Sequence, residues 1–184
     1  MNVGIQIGLF LVDAFFSFYI VVVMLRMLFA LVRADFYNPL SQFVVTLTNP
    51  PLKILRRFIP SVGRVDSASI VLMVGLELAQ IYLEGLLQGF VPSPLLAIVV
   101  AVRNLLILLI YIYIGAIIVQ AVMSWFAAAG RGYNPVMSLL DRLTHPLLEP
   151  IQRVVPPIGM VDLSPLIALL LLNVALMLVS SFLA

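Results

Sequence analysis

Cysteine is absent from the 184 residues. Without thiols there is no disulfide framework, no thiolate nucleophile and no Cys-x-x-Cys-His haem attachment. Histidine occurs once, at His145, which excludes a multi-histidine metal site. Charge is also scarce. Asp, Glu, Lys and Arg make up 10% of the chain, where a soluble domain carries about 25%. The formal net charge of +2 and pI near 9.2 give no reason to expect direct nucleic-acid binding. No Walker loop, Gly-x-Gly-x-x-Gly, His-Glu-x-x-His or Gly-x-Ser-x-Gly stands anywhere. The expectation is a protein with no catalytic residue, no cofactor and no resident metal.

What is present is apolar. Hydrophobic residues make up 64%, and the mean hydropathy is +1.21. On a water-soluble particle so much apolar surface would drive aggregation, whereas in a bilayer it faces lipid. Four runs approach the roughly 20 apolar residues a helix needs to cross the hydrocarbon core. They are Gly8–Val32, Ala68–Gln88, Asn104–Ala128 and Ser164–Leu183. The third is preceded by another apolar run, Leu95–Val102, broken by Arg103, so its start is open. The runs are continuous rather than alternating, which points to helices and away from a β-barrel. The leading residues carry no Lys or Arg and the first run outlasts a signal peptide's, so the segment is expected to remain.

Basic residues are unevenly placed. Arg33, Lys53, Arg56, Arg57 and Arg64 lie between the first two runs, and Arg131, Arg142 and Arg153 between the last two. The short link around Pro92 and Pro94 has none. Positive loops stay in the cytoplasm, so both long loops are predicted cytoplasmic and both termini periplasmic.

The chain also repeats itself without gaps at an offset of 96 residues. Tyr37-Asn38-Pro39 returns as Tyr133-Asn134-Pro135, and Leu47-Thr48-Asn49-Pro50 as Leu143-Thr144-His145-Pro146. Arg57 matches Arg153, Pro60 matches Pro156, Gly63 matches Gly159, and Val65-Asp66 matches Val161-Asp162. Shared apolar composition does not produce such matches at polar, Pro and Gly positions. The reading is two tandem parallel hairpin repeats, residues 1–91 and 92–184, giving four transmembrane helices in an all-α membrane protein.

Each loop has helix signals. Asn38 and Asn134 are N-caps, with Pro39 and Pro135 at the first helical position. A second helix is expected to start near Pro50 or Pro146. Ile54, Leu55, Phe58 and Ile59 would form its apolar face in one copy, and Leu147, Ile151, Val154 and Val155 in the other. Lys53, Arg56 and Arg57, or Glu149, Gln152 and Arg153, take the opposite face. Amphipathic helices of this kind lie in the interface, where Lys and Arg reach anionic lipid headgroups or a protein partner. Asn38, Pro39, Lys53, Arg56, Arg57, Asp66, Asn134, Pro135, Arg153 and Asp162 are the loop candidates.

Arg33-Ala34-Asp35-Phe36-Tyr37-Asn38-Pro39-Leu40, Thr48 to Asp66, Ser124-Trp125-Phe126 and Asn134-Pro135 to Asp162-Leu163-Ser164-Pro165 resemble the signature of the YggT family. The resemblance covers nearly the whole chain. It is to two-repeat members of Gram-negative inner membranes, and single-repeat relatives are called YlmG. The resemblance implies a bacterial inner-membrane location, a link to osmotic-stress tolerance, ion uptake or division-gene neighbourhoods, and, in plastid relatives, to cytochrome b6 haem attachment and nucleoid organisation. It supplies no catalytic residue. The first copy departs from the pattern at Pro60-Ser61-Val62-Gly63 and at Asp66-Ser67-Ala68-Ser69.

Polar residues within spans are costly and therefore candidates. Arg26 and Glu77 fall at similar depth and are expected to form an ion pair closing the first hairpin. Gln120 and Asn173 would do the same in the second through an uncharged hydrogen bond. Asp13, Glu84 and Arg103 lie near the outer end, either as a mixed-charge cluster or, as their shallow depth favours, snorkelling to headgroups. Gly4-x-x-x-Gly8 and Gly85-x-x-x-Gly89 would allow close helix approach. His145 reads as a cap residue, because its counterpart Asn49 does not titrate. Trp125 and Tyr133 read as interfacial belt residues.

Two functions fit. One is a non-catalytic membrane scaffold, assembly or osmotic-stress factor acting through its loops. The other is a subunit of an ion (potassium) channel or transporter, with Arg26, Glu77, Gln120 and Asn173 lining a path. Four spans require the transporter to be a homo-oligomer. The recurring polar residues lie in the loops, which favours the scaffold.

Overall fold

The computed structural model describes residues 2–61, 65–127, 134–155 and 162–182, with backbone alone at 125–127 and 182. Gly63, Arg64, Arg131, Tyr133, Pro156, Gly159, Val161 and the Trp125 side chain lie outside the described residues. The described elements are six α-helices: α1 Val3–Leu31, α2 Pro39–Leu55, α3 Ser67–Gln88, α4 Pro94–Ala127, α5 Pro135–Val154 and α6 Ser164–Phe182. Four of them, α1, α3, α4 and α6, are long and apolar enough to cross a membrane. The sequence boundaries hold to a few residues at α3 and α6. At α4, whose start the sequence left open, the helix begins ten residues before Asn104 and runs straight through Arg103. Pro94 at its first turn lacks the N–H that would have no partner there.

α1 packs most extensively on α3, and α4 on α6. α3 also packs on α4, which joins the four long helices. The main core has Ile20, Val23, Met24 and Leu28 of α1 against Met73 of α3, Ala116 of α4 and Leu143 of α5. A second cluster of Ile117, Leu148 and Ala168 joins α4, α5 and α6. Outward faces stay apolar and exposed, with Phe10, Phe15 and Phe18 on α1 and Leu170, Val174 and Met177 on α6. That is the pattern of helices solvated by lipid tails.

Among the described residues each loop holds one helix where two were expected. α2 runs unbroken through Pro50 and Pro51, and α5 through Pro146 and Pro150. Internal proline normally breaks a helix by removing an N–H and orphaning the carbonyl four residues earlier. Here Pro51 orphans the Leu47 carbonyl, and the Tyr19 hydroxyl of α1 donates to it at 3.2 Å. The span thus supplies a partner for that one carbonyl, while at Pro50, Pro146 and Pro150 the helices continue with no such side-chain donor among the described residues. Because α2 ends at Leu55, Phe58 and Ile59 fall beyond it and do not share a helical face with Ile54. The buried stripe of α2 is Ser41, Val44, Thr48 and Leu52, and that of α5 is Leu139, Leu143, Thr144 and Leu148.

The glycine expectation is not met at α1: nothing lies within 4 Å of where a Cβ on Gly4 would sit, and at Gly8 a Cβ would make ordinary contact with the Leu87 side chain at 3.4 Å, so neither is needed for close approach. Gly85 and Gly89 instead shape the end of α3. Gly89 has φ +74 and caps the helix, and a Cβ on Gly85 would sit 2.4 Å from the Phe90 carbonyl oxygen.

Candidate functional site

The polar side chains of the spans converge on the loop helices. Arg26 lies about 8 Å from the C-terminal end of α1 and is 8% exposed. Its Nη1 donates to the Val45 carbonyl at 3.0 Å, the Thr48 hydroxyl at 2.7 Å and the Asn49 Oδ1 at 2.9 Å. All three acceptors belong to α2. A guanidinium withdrawn from water is tolerable only when hydrogen-bonded, and here neutral dipoles of one helix do that work. Thr48, fully buried, in turn donates to the Val44 carbonyl at 2.7 Å.

A comparable contact holds α5. Thr144 is also fully buried, and its hydroxyl lies 2.6 Å from Gln120 Oε1 of α4. Gln120 Nε2 donates to Asp141 at 2.7 Å. Thr48 and Thr144 stand at corresponding positions of the repeated Leu-Thr block. Each is met by the polar residue of the span before it.

Two expectations are corrected here. Arg26 does not pair with Glu77. It turns toward α2, whereas Glu77, about 15 Å into α3, accepts a bond from Asn104 Nδ2 of α4 at 3.2 Å. Gln120 does not pair with Asn173, whose amide donates to the Leu169 carbonyl of its own helix at 2.8 Å. Equal depth was a poor guide because the side chains leave their helices in different directions.

The loop ends are tied to the following spans. Arg56 forms an ion pair with Asp66, the residue before α3, and Ser69 Oγ donates to the same carboxylate at 2.6 Å. Burial alone would raise the Asp66 pKa, but the Arg56 and Ser69 hydrogen bonds and the Arg56 charge hold it below the ordinary carboxylate value. At the corresponding place Gln152 Nε2 donates to Asp162 at 2.9 Å, and so does the Ser164 amide at 2.9 Å. Burial there also acts to raise the pKa, and the hydrogen bonds from Ser164 and Gln152 bring the net shift downward.

The two loop helices touch each other at one end of the bundle. Asn38 caps α2 by accepting from the Leu40 amide, and its Nδ2 donates across to the Pro135 carbonyl at 2.7 Å. Arg142 Nη1 donates to the Arg33 carbonyl at 2.9 Å, where Arg33 has a left-handed φ of 52. Asn134 caps α5 through the Val136 amide, and Pro39 and Pro135 occupy the first helical positions as expected. Lys53 and Arg57 are exposed, and Arg153 pairs with Glu149 on its own helix. His145 is no cap. It lies inside α5, with Nε2 3.5 Å from Glu149.

A second polar group lies deeper. Gln80 Nε2 donates to Asp13 at 3.1 Å and to Glu84 at 2.8 Å, one turn from Glu77. Asp13, Ser17, Glu77, Gln80, Asn104 and Tyr111 border a cavity of about 240 Å³ between α1, α3 and α4. Among the described residues Arg103 forms no ion pair with Asp13 or Glu84, so no mixed-charge cluster exists there. Asn104, Tyr19, Thr48 and Thr144 were missed as site residues. The threonines carried a signal, since both stand in the repeated block.

The CCB3/YggT family model matches residues 5–87 and again residues 93–183. The chain belongs to this family. An uncharacterized Pseudomonas aeruginosa protein is 38% identical over 182 residues, covering 96% of this chain and 90% of that one. The YggT protein of Escherichia coli is 36% identical over 165 residues, covering 90% and 85%. The chloroplastic YlmG homolog protein 2 of Arabidopsis thaliana is 38% identical over 73 residues, covering 39% and 28%. No solved structure matches. Four apolar helices in a chain with bacterial YggT relatives make this a membrane protein. Among the described residues no cluster of three or more His, Asp or Glu is arranged to hold a metal.

Proposed function

We propose that this YggT-family chain is a non-catalytic scaffold of the bacterial inner membrane. It would consist of two tandem parallel hairpins presenting paired amphipathic helices at the cytoplasmic interface, with both termini periplasmic. The family model matching twice and the corresponding contacts of Thr48 and Thr144 support the tandem reading. The observation that carries the function is the way Arg26 is used. The one cation buried in α1 bonds three groups of the loop helix and so fixes α2 in place. The Asn38 and Arg142 bonds then lock the loops to each other. Rigid exposed loops with Lys53 and Arg57 outward suit anionic headgroups or a protein partner. A role in osmotic-stress tolerance would follow from what such a platform assembles.

A second reading, an ion-pathway subunit, draws on the cavity bordered by Asp13, Glu77, Gln80 and Asn104. Potassium flux into proteoliposomes separates the two. The scaffold gives flux no higher than protein-free vesicles. Flux that is robust and abolished by Glu77→Ala would overturn it.

A further inference from the structure

The proposal concerns Asn173 and does not depend on the scaffold reading. α6 spans Ser164–Phe182, so Asn173, nine residues from each end, sits about 14 Å from either and therefore at mid-span. The residue is exposed, on a face with Leu166, Leu170, Val174 and Met177 at helical spacing. Among the described residues its carboxamide makes one bond, from Nδ2 to the Leu169 carbonyl. Its Oδ1 and second amide hydrogen face hydrocarbon, where no water can satisfy them.

The repeat shows what such a position does elsewhere in the same chain. Ninety-six residues earlier stands Glu77 on α3. There the face is covered by α4, and the α4 amide of Asn104 meets the carboxylate at 3.2 Å. Glu77 is only 7% exposed as a result. The corresponding face of α6 carries a polar group and no covering helix among the described residues. A carboxamide is its own complement, with one donor and one acceptor free, and a twofold axis brings two of them into reciprocal bonding.

We infer that α6 pairs with α6 of a second copy of this chain, each Asn173 donating to the other's Oδ1 at the centre of the bilayer. The flanking Leu166, Leu170, Val174 and Met177 then pack across the axis in place of lipid.

The cysteine-free sequence makes the test direct. Full-length protein carrying Met177→Cys or Leu170→Cys is reconstituted in liposomes at low protein density and oxidised. Phe15→Cys, on the equally exposed face of α1, is the collision control. The expected result is cross-linked dimer for the α6 cysteines at several times the control. Adding Asn173→Leu should lower dimer by about 3- to 30-fold, the range for one interhelical side-chain bond pair. Asn173→Gln, which keeps both donor and acceptor, should retain it. Because residue 173 is exposed, Leu there leaves the fold intact, and photobleaching step counts of labelled protein give a second readout. Cross-linking no greater than at Phe15→Cys, or unaltered by Asn173→Leu, would overturn the proposal.

Discussion

Replacing Arg26 by Leu isolates the bond set that holds α2. Leu matches the apolar surroundings of α1 and removes three hydrogen bonds from one charged group. Such bonds are worth about 1.5–3 kcal/mol each. The change also removes the cost of keeping an Arg within the span, about 2.5–3.5 kcal/mol at mid-membrane and less this close to the helix end. Nη1 carries two hydrogens, so the three contacts amount to about two full bonds, about 3–6 kcal/mol; less about 2–3 kcal/mol of desolvation at this depth, the net loss in the docking of α2 is about 1–3 kcal/mol. That corresponds to a rise of about 5- to 150-fold in the opening constant of the loop helix. Hydrogen exchange measured by mass spectrometry in liposomes reads it directly. Amides of α2 between Phe43 and Asn49 should exchange faster by that factor, while those of α6 stay unchanged. Protection of α2 unaltered within about twofold, or an equal loss in α6, would refute the argument.

Thr144→Val should loosen α5 through the same kind of exchange measurement, by about 1–2 kcal/mol, because Gln120 loses a buried partner. Asp66 has its folded pKa depressed, so its contribution is present above the unfolded carboxylate value and is lost as pH falls through the folded one. Thermal unfolding in detergent should therefore show a stability decrease below about pH 4, and Arg56→Met should shrink that acid step. Gly89→Ala should cost about 1 kcal/mol, since φ +74 disfavours a Cβ. Gly85→Ala should cost more, because the added atom collides with the Phe90 carbonyl; both are measured as shifts in Tm.

The spans were legible because lipid imposes one rule, roughly 20 apolar residues per crossing, and that rule acts on local sequence. The loop caps were legible for the same reason: Asn38-Pro39 and Asn134-Pro135 act within one turn. The continuity of α2 was not. The carbonyl that Pro51 frees finds its partner in Tyr19, thirty-two residues away, which no local pattern reveals. Nor were the pairings of Arg26, Glu77 and Gln120, because depth along a helix fixes one coordinate and leaves rotation about the axis open. The start of α4 stayed open in the sequence because the single charge of Arg103 interrupts the hydropathy but not the helix.

The account stands on two loop helices braced against one another at a single end of the bundle. Single cysteines at Lys53 and at Glu149, labelled with a membrane-impermeant maleimide in sealed spheroplasts and in inverted vesicles, test this most directly. Both should react in inverted vesicles and neither in spheroplasts. Labelling of one from each side of the membrane would contradict it.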